Sequence, residues 1–158
     1  IMTEQGAGWL PETLQRMDSM HEALAAGKFG ELGPSGTALR SRPSEYFARN
    51  CYIGASFPSP AEASVIRRVG VDRFMWGSDY PHREGTYPYT VESLRRSFDG
   101  WSVDELRPLL GATAASVYGF DQAACDAAAQ LAGPTVDEVA VPLHEVPADA
   151  HSPAFTRA

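Results

Sequence analysis

The amino-acid sequence predicts an α/β fold built on parallel strands, and three observations carry that expectation. Two short apolar runs, residues 50–57 and 72–77, have the length and residue types of buried strands. A helix with a complete set of start and stop signals lies between them, and helical spacing resumes after the second run. An apolar strand, a helix and another apolar strand in that order favour a parallel βαβ unit over a meander.

The elements follow in order along the chain. From residue 11 to about residue 25, Leu14, Met17, Met20 or His21, and Leu24 recur at three- and four-residue spacing, with Pro11 at the first helical position. This is an amphipathic helix. Gly27, Gly30, Gly33, Pro34, Ser35 and Gly36 then give the composition of a surface loop, ending near Arg42-Pro43. The run Cys51-Tyr52-Ile53-Gly54-Ala55-Ser56-Phe57 reads as a strand, closed by turn residues from Pro58 to Pro60.

Ser59 is placed as N-cap of the next helix, with Pro60 at its first position, Glu62 completing a capping box and Gly70 as the stop. Asp72 to Gly77 forms the second strand, and Val91, Leu94 and Phe98 mark a helix over residues 90–98. Ser102 with Glu105 makes another capping box, and Pro108 is expected to bend or shorten the helix it opens. A helical segment over 112–118 and an alanine-rich helix from residue 121 to about 132, stopped by Gly133-Pro134, complete the regular elements. Pro142, Pro147 and Pro153 leave the remainder as an extended arm. Its Val136, Val139, Val141, Leu143, Val146 and Phe155 are too apolar for a free linker, so the arm is expected to pack on the chain's exterior or on a partner in a homodimer. Domain organisation is therefore residues 1–120 as an α/β unit and 121–158 as a helix and acidic tail.

Composition narrows the function classes. The chain has 158 residues, 44% of them hydrophobic and 21% charged, enough for one buried core. No run approaches the roughly 18 apolar residues of a membrane span, and the default address is cytoplasmic. Cys51 and Cys125 form no C-x-x-C pair, which gives no support for a disulfide framework or a cysteine zinc site. The formal charge of −7 offers no attraction for a phosphate backbone, so a small molecule is the expected partner and nucleic acid is not. The opening Ile1-Met2-Thr3-Glu4 reads as the end of a buried strand, with natural sequence expected upstream.

The chemistry concentrates where the second strand stops. Trp76-Gly77-Ser78-Asp79 delivers a carboxylate to the C-terminal edge of a parallel sheet, the edge at which such enzymes assemble their sites. Pro81 and His82 place an imidazole on the same loop, so acid and base or ligand lie together. As pattern alone, Asp79 serves equally well as a turn former.

The segment Met75-Trp76-Gly77-Ser78-Asp79-Tyr80-Pro81-His82-Arg83-Glu84-Gly85-Thr86 resembles the eighth-strand region of the amidohydrolase-related family, which includes metal-dependent hydrolases and nonoxidative aromatic decarboxylases. Arg42-Pro43-Ser44-Glu45-Tyr46-Phe47 with Arg49-Asn50-Cys51-Tyr52 resembles that family's approach to strand seven, and Gly111 to Phe120 its closing helix. The resemblance spans roughly residues 4 to 120. It implies the last βα units, about strands six to eight, of a TIM-type (β/α)8 barrel followed by a C-terminal helical and extended tail.

The resemblance also implies roles. Asp79 would bind a divalent metal, Zn or alternatively Mn, and accept a proton from metal-bound water. His82 would orient the substrate or support the metal ligand, and Tyr80 would contact the substrate. Glu4, at the expected end of strand six, is a candidate acid or base, and Trp9 a candidate pocket residue. The substrate implied is small and carboxylated or cyclic. Two departures stand out: the chain has no His-x-His pair, and Thr113 stands where the family commonly has asparagine. Its histidines are His21, His82, His144 and His151, so the remaining metal ligands are expected upstream and the segment alone is expected to be inactive, with exposed sheet edges. Two other readings compete: a metal-free glycoside-type hydrolase pairing Glu4 with Asp79, and a non-catalytic interaction module.

Overall fold

A computed structural model describes residues 1–4, 6–28, 30, 39–139 and 141–157. The loop expected around Gly33, Pro34, Ser35 and Gly36 lies outside them. The amphipathic periodicity near the start gives helix α1, Leu10–Ala25, with Pro11 in its first turn. Helix α2, Pro43–Asn50, follows. It stands where sequence reading expected only the run-in to a strand. Its short apolar content is anchored by Pro43 and Phe47, both buried, and Asp18 of α1 accepts hydrogen bonds from the Ser44 backbone N–H at 2.9 Å and hydroxyl at 2.6 Å. These bonds satisfy an otherwise open donor in the first turn of α2 and hold the Asp18 carboxyl below its ordinary pKa.

Strand β1, Ile53–Ser56, leads into α3, Pro60–Val69, a single 3-10 turn, Val71–Arg73, and strand β2, Phe74–Gly77. The two strands are parallel, with Ile53 opposite Phe74 and Ser56 opposite Gly77. The expected strand over 50–57 is thus trimmed at both ends. Met2 adds an isolated parallel bridge to Ile53 on the other side of β1, with Met2 N–H donating to Tyr52 O at 2.9 Å and Gly54 N–H to Met2 O at 2.7 Å. The described residues therefore form an α/β layer of two parallel strands and one bridging segment, with strand order matching chain order.

Helix α3 starts as its sequence dictates. The Ser59 hydroxyl accepts from Glu62 N–H at 3.3 Å while the Glu62 carboxylate accepts from Ser59 N–H at 3.1 Å. Gly70 ends the helix at φ 129°, a conformation that disfavours any side chain.

Beyond β2 come α4, Thr90–Ser97, and a longer helical run made of α5, Val103–Arg107, a π-helical turn, Pro108–Ala112, and α6, Thr113–Tyr118. The α-helix opened by Ser102 is short, stopping at Arg107 just before Pro108, as expected from the missing donor. A wider turn absorbs the proline, and Leu109 is buried there. Helix α7, Gln122–Ala132, is capped by Asp121 and carries no buried residue.

The arm after Gly133 differs from the extended segment expected. It contains two single-turn helices, α8, Val136–Val139, and α9, Pro153–Thr156, and it docks on its own chain. Val139 joins the main core, and the Arg95 guanidinium donates to Val141 O at 2.8 Å and Pro142 O at 3.0 Å.

Ile53, Ala55, Ile66, Phe74, Phe98 and Leu109 form the centre of the core, where strands, α3, α4 and the π turn meet. Phe57, Ala154 and Phe155 make a smaller apolar cluster just past the end of β1. No helix among the described residues is long and apolar enough to cross a membrane.

Candidate metal centre

Strand β2 ends at Gly77, and two residues later Asp79 takes φ +60°, a left-handed conformation that aspartate tolerates better than most residues. This reverses the chain immediately at the sheet's C-terminal edge. The loop then closes on itself: His82 N–H donates to Asp79 O at 2.8 Å, Gly85 N–H to His82 O at 3.1 Å, and Thr86 N–H to Ser78 O at 3.0 Å. Thr86 is fully buried, and its hydroxyl lies 2.9 Å from that of Thr90 at the start of α4. Gly85 is required by this closure, because a Cβ there would stand 2.5 Å from Ser78 O and 3.0 Å from Asp79 O.

Closure gathers three donor groups. The ligand atoms of Asp79, His82 and Glu84 all lie within 4.8 Å of one another, with the His82 Nδ1 atom 3.1 Å from Asp79 Oδ1. The Asp79 side chain keeps 15% of its exposure and His82 keeps 64%, so the group opens to solvent on one side. Two carboxylates and one imidazole are a donor set that suits Zn or Mn, and a cation held by these three would keep further coordination positions for water or substrate. The residues present thus fit a divalent cation. Asp79, the one ligand expected of this chain, has two further donor groups, His82 and Glu84, beside it.

Glu84 was missed by sequence reasoning. A separation of five residues from Asp79 follows no helical or strand period, and only the turn held by Gly85 and Thr86 brings it round. Glu4 is exposed, at φ +58°, just past the Met2 bridge. Trp9 stands at the N-cap of α1 with its indole N–H donating to Gly6 O at 2.9 Å. Tyr80 is exposed beside the group, its ring meeting Tyr87 edge to face at 5.4 Å.

Beside the donor group lies an open cleft of about 880 Å³, walled on one side by Pro81 to Glu84 and Tyr87 to Tyr89, and on the other by Asp149 to Pro153 and Phe155. Sequence reasoning left residues 149–155 out of the site. The Tyr89 hydroxyl donates to Asp149 at 2.5 Å across the rim, and this bond lowers the Asp149 pKa and raises that of the phenol.

The family model described as Amidohydrolase matches residues 8–120, more than half of the sequence, and none of the curated proteins matches.

Proposed function

The chain belongs to the amidohydrolase family, and from that premise we propose that it contributes the Asp79 loop to a metal-dependent hydrolase site acting on a small carboxylated or cyclic substrate. The observation that carries the proposal is the cluster of Asp79, His82 and Glu84 ligand atoms within 4.8 Å of one another at the C-terminal end of β2. A divalent cation held there would supply a Lewis acid that polarises a substrate oxygen or a water molecule. Asp79 is the proton acceptor in this reading, since its carboxylate is the least exposed of the ion-paired groups in the loop and is fixed by the strand end. His82 Nδ1 stands 3.1 Å from the Asp79 carboxylate, and the ring supplies the imidazole nitrogen of the donor set. Glu84 contributes a further carboxylate oxygen on the open side. Nonoxidative decarboxylation is the alternative outcome on the same platform.

Calorimetric titration of the chain with Zn2+ and with Mn2+ tests the proposal. One saturable site is expected, weakened about a hundredfold in Asp79→Asn and at least about tenfold in Glu84→Gln. Equal affinity of the wild type and Asp79→Asn overturns it, as does the absence of saturable binding. Release of alcohol or amine against release of carbon dioxide separates hydrolysis from decarboxylation.

A further inference from the structure

The arm beyond residue 140 returns to the edge of the sheet from which Asp79 emerges, and it is fastened there at several points by residues of one helix. Arg95 of α4 holds the carbonyls of Val141 and Pro142. The other arginine, Arg96, donates to Ala154 O at 3.1 Å and to Arg157 O at 2.5 Å. Phe155 is buried against Tyr89, ring edge to ring face at 6.3 Å, and shares an apolar cluster with Phe57, the residue that follows β1. The Arg157 guanidinium lies 5.1 Å over the Phe57 ring. Phe57 marks the C-terminal end of one strand and Asp79 the end of the next, so the arm crosses the mouth of the sheet.

The stretch between these fastenings faces the Asp79 loop across the 880 Å³ cleft. Such a volume suits a small organic ligand. The rings of Tyr87, Tyr89 and Phe155 provide apolar surface, while Arg83 of the loop and His151 of the arm bring cationic or hydrogen-bonding groups. Arg83 has no ion-pair partner among the described residues, although the chain carries 20 acidic side chains against 13 lysines and arginines. Asp149, the nearest acid on the arm, is already engaged by the Tyr89 hydroxyl. The Ser152 hydroxyl, on the same wall, is buried without a hydrogen-bond partner among the described residues.

We infer that the arm is the outer wall of the substrate pocket, and that Arg83 and His151 receive the anionic group of a small organic acid between loop and arm. This assignment rests on the function proposed above, whose donor group lies on the loop side of the same cleft. It makes the arm a determinant of specificity: its side chains decide how long a substrate fits and where its charge sits, while the donor group is left to the loop.

Binding of benzoate, cyclohexanecarboxylate and uncharged benzyl alcohol to the chain in the presence of Zn2+, followed by ligand-observed NMR, tests the inference. Saturable binding of the acids is expected, with benzyl alcohol weaker. Arg83→Ala and His151→Ala each lower acid affinity about tenfold, the loss of one charge-assisted hydrogen bond. Phe155→Ala, which releases the arm, lowers it comparably, while Zn2+ affinity stays within about twofold because the donor group is untouched. Unchanged acid affinity in His151→Ala and Phe155→Ala overturns the inference, and so does the absence of acid binding to the wild type. Arm-dependent acid binding without any Zn2+ site instead sinks the metal proposal and leaves the wall standing. Circular dichroism of each variant shows that the fold is retained, and a milder Phe155→Leu variant substitutes if Phe155→Ala unfolds.

Discussion

His82 Nδ1 stands 3.1 Å from Asp79 Oδ1, and the two side chains reach each other because Asp79 adopts φ +60°. Backbone conformation and chemistry at Asp79 are therefore separable by substitution. Asparagine tolerates the left-handed region, so Asp79→Asn should keep the wild-type melting temperature while losing the carboxylate. A β-branched residue does not tolerate it, and Asp79→Val should lose about 1–2 kcal/mol of stability in addition. Thermal melts of the two variants beside their Zn2+ titrations check this.

The approach of Gly85 to Ser78 predicts a cost for the smallest side chain. Gly85→Ala would press a methyl group to 2.5 Å from a backbone carbonyl that cannot swing aside. A loss of about 2–3 kcal/mol is expected, measured as a lower denaturant midpoint at unchanged slope. A midpoint equal to that of the wild type would show that the loop opens at no cost.

Acid stability has an identifiable contributor remote from the loop. Arg67 donates to Glu105 through Nε at 2.6 Å and Nη2 at 2.9 Å, and Ser102 N–H adds another bond at 2.9 Å. Together, Arg67 first, they hold the Glu105 carboxyl at about 2 against an ordinary 4.5. Because the folded value is the lower one, this stabilisation is fully present above pH 4.5 and disappears as pH falls toward 2. Both side chains are partly exposed, so the contribution is about 1 kcal/mol or less. Arg67→Ala should flatten the pH dependence of stability within that window, with the full loss above it and below it only the smaller part that comes from the guanidinium 4.6 Å over Trp101. Urea unfolding at a series of pH values reads both effects.

Removal of one hydroxyl tests how the arm is held. Tyr89→Phe keeps the ring against Phe155 and deletes the bond to Asp149. Amide hydrogen exchange should accelerate across residues 147–153 and stay unchanged in β1 and β2. Faster exchange throughout the chain would show instead that the bond supports the whole fold.

Local signals made most of this fold legible. Helix α3 could be read residue by residue because Ser59, Pro60, Glu62 and Gly70 each act on the backbone beside them. Asp79 and His82 were visible for the same reason, being placed by a strand end and a short loop. Helix α2 escaped because its eight residues bury only Pro43 and Phe47, and its fastening to Asp18 spans 26 positions. The π turn at Pro108 depends on burial of Leu109, which no local pattern announces. The arm's place at the cleft escaped for the strongest version of this reason, since Tyr89 and Asp149 are 60 residues apart.

Glu62 joins the two kinds of contact in a single carboxylate. One oxygen accepts from Ser59 N–H and completes the helix start, while the other accepts from Ala7 N–H at 3.1 Å, 55 positions away. Gly6 passes so close that a side chain there would collide with it. The helix can therefore begin with half of its capping carboxylate used and finds the second bond only when the segment carrying Met2 docks beside β1. Local nucleation and long-range closure share one side chain, so Glu62→Ala should make the chain unfold less cooperatively as well as earlier.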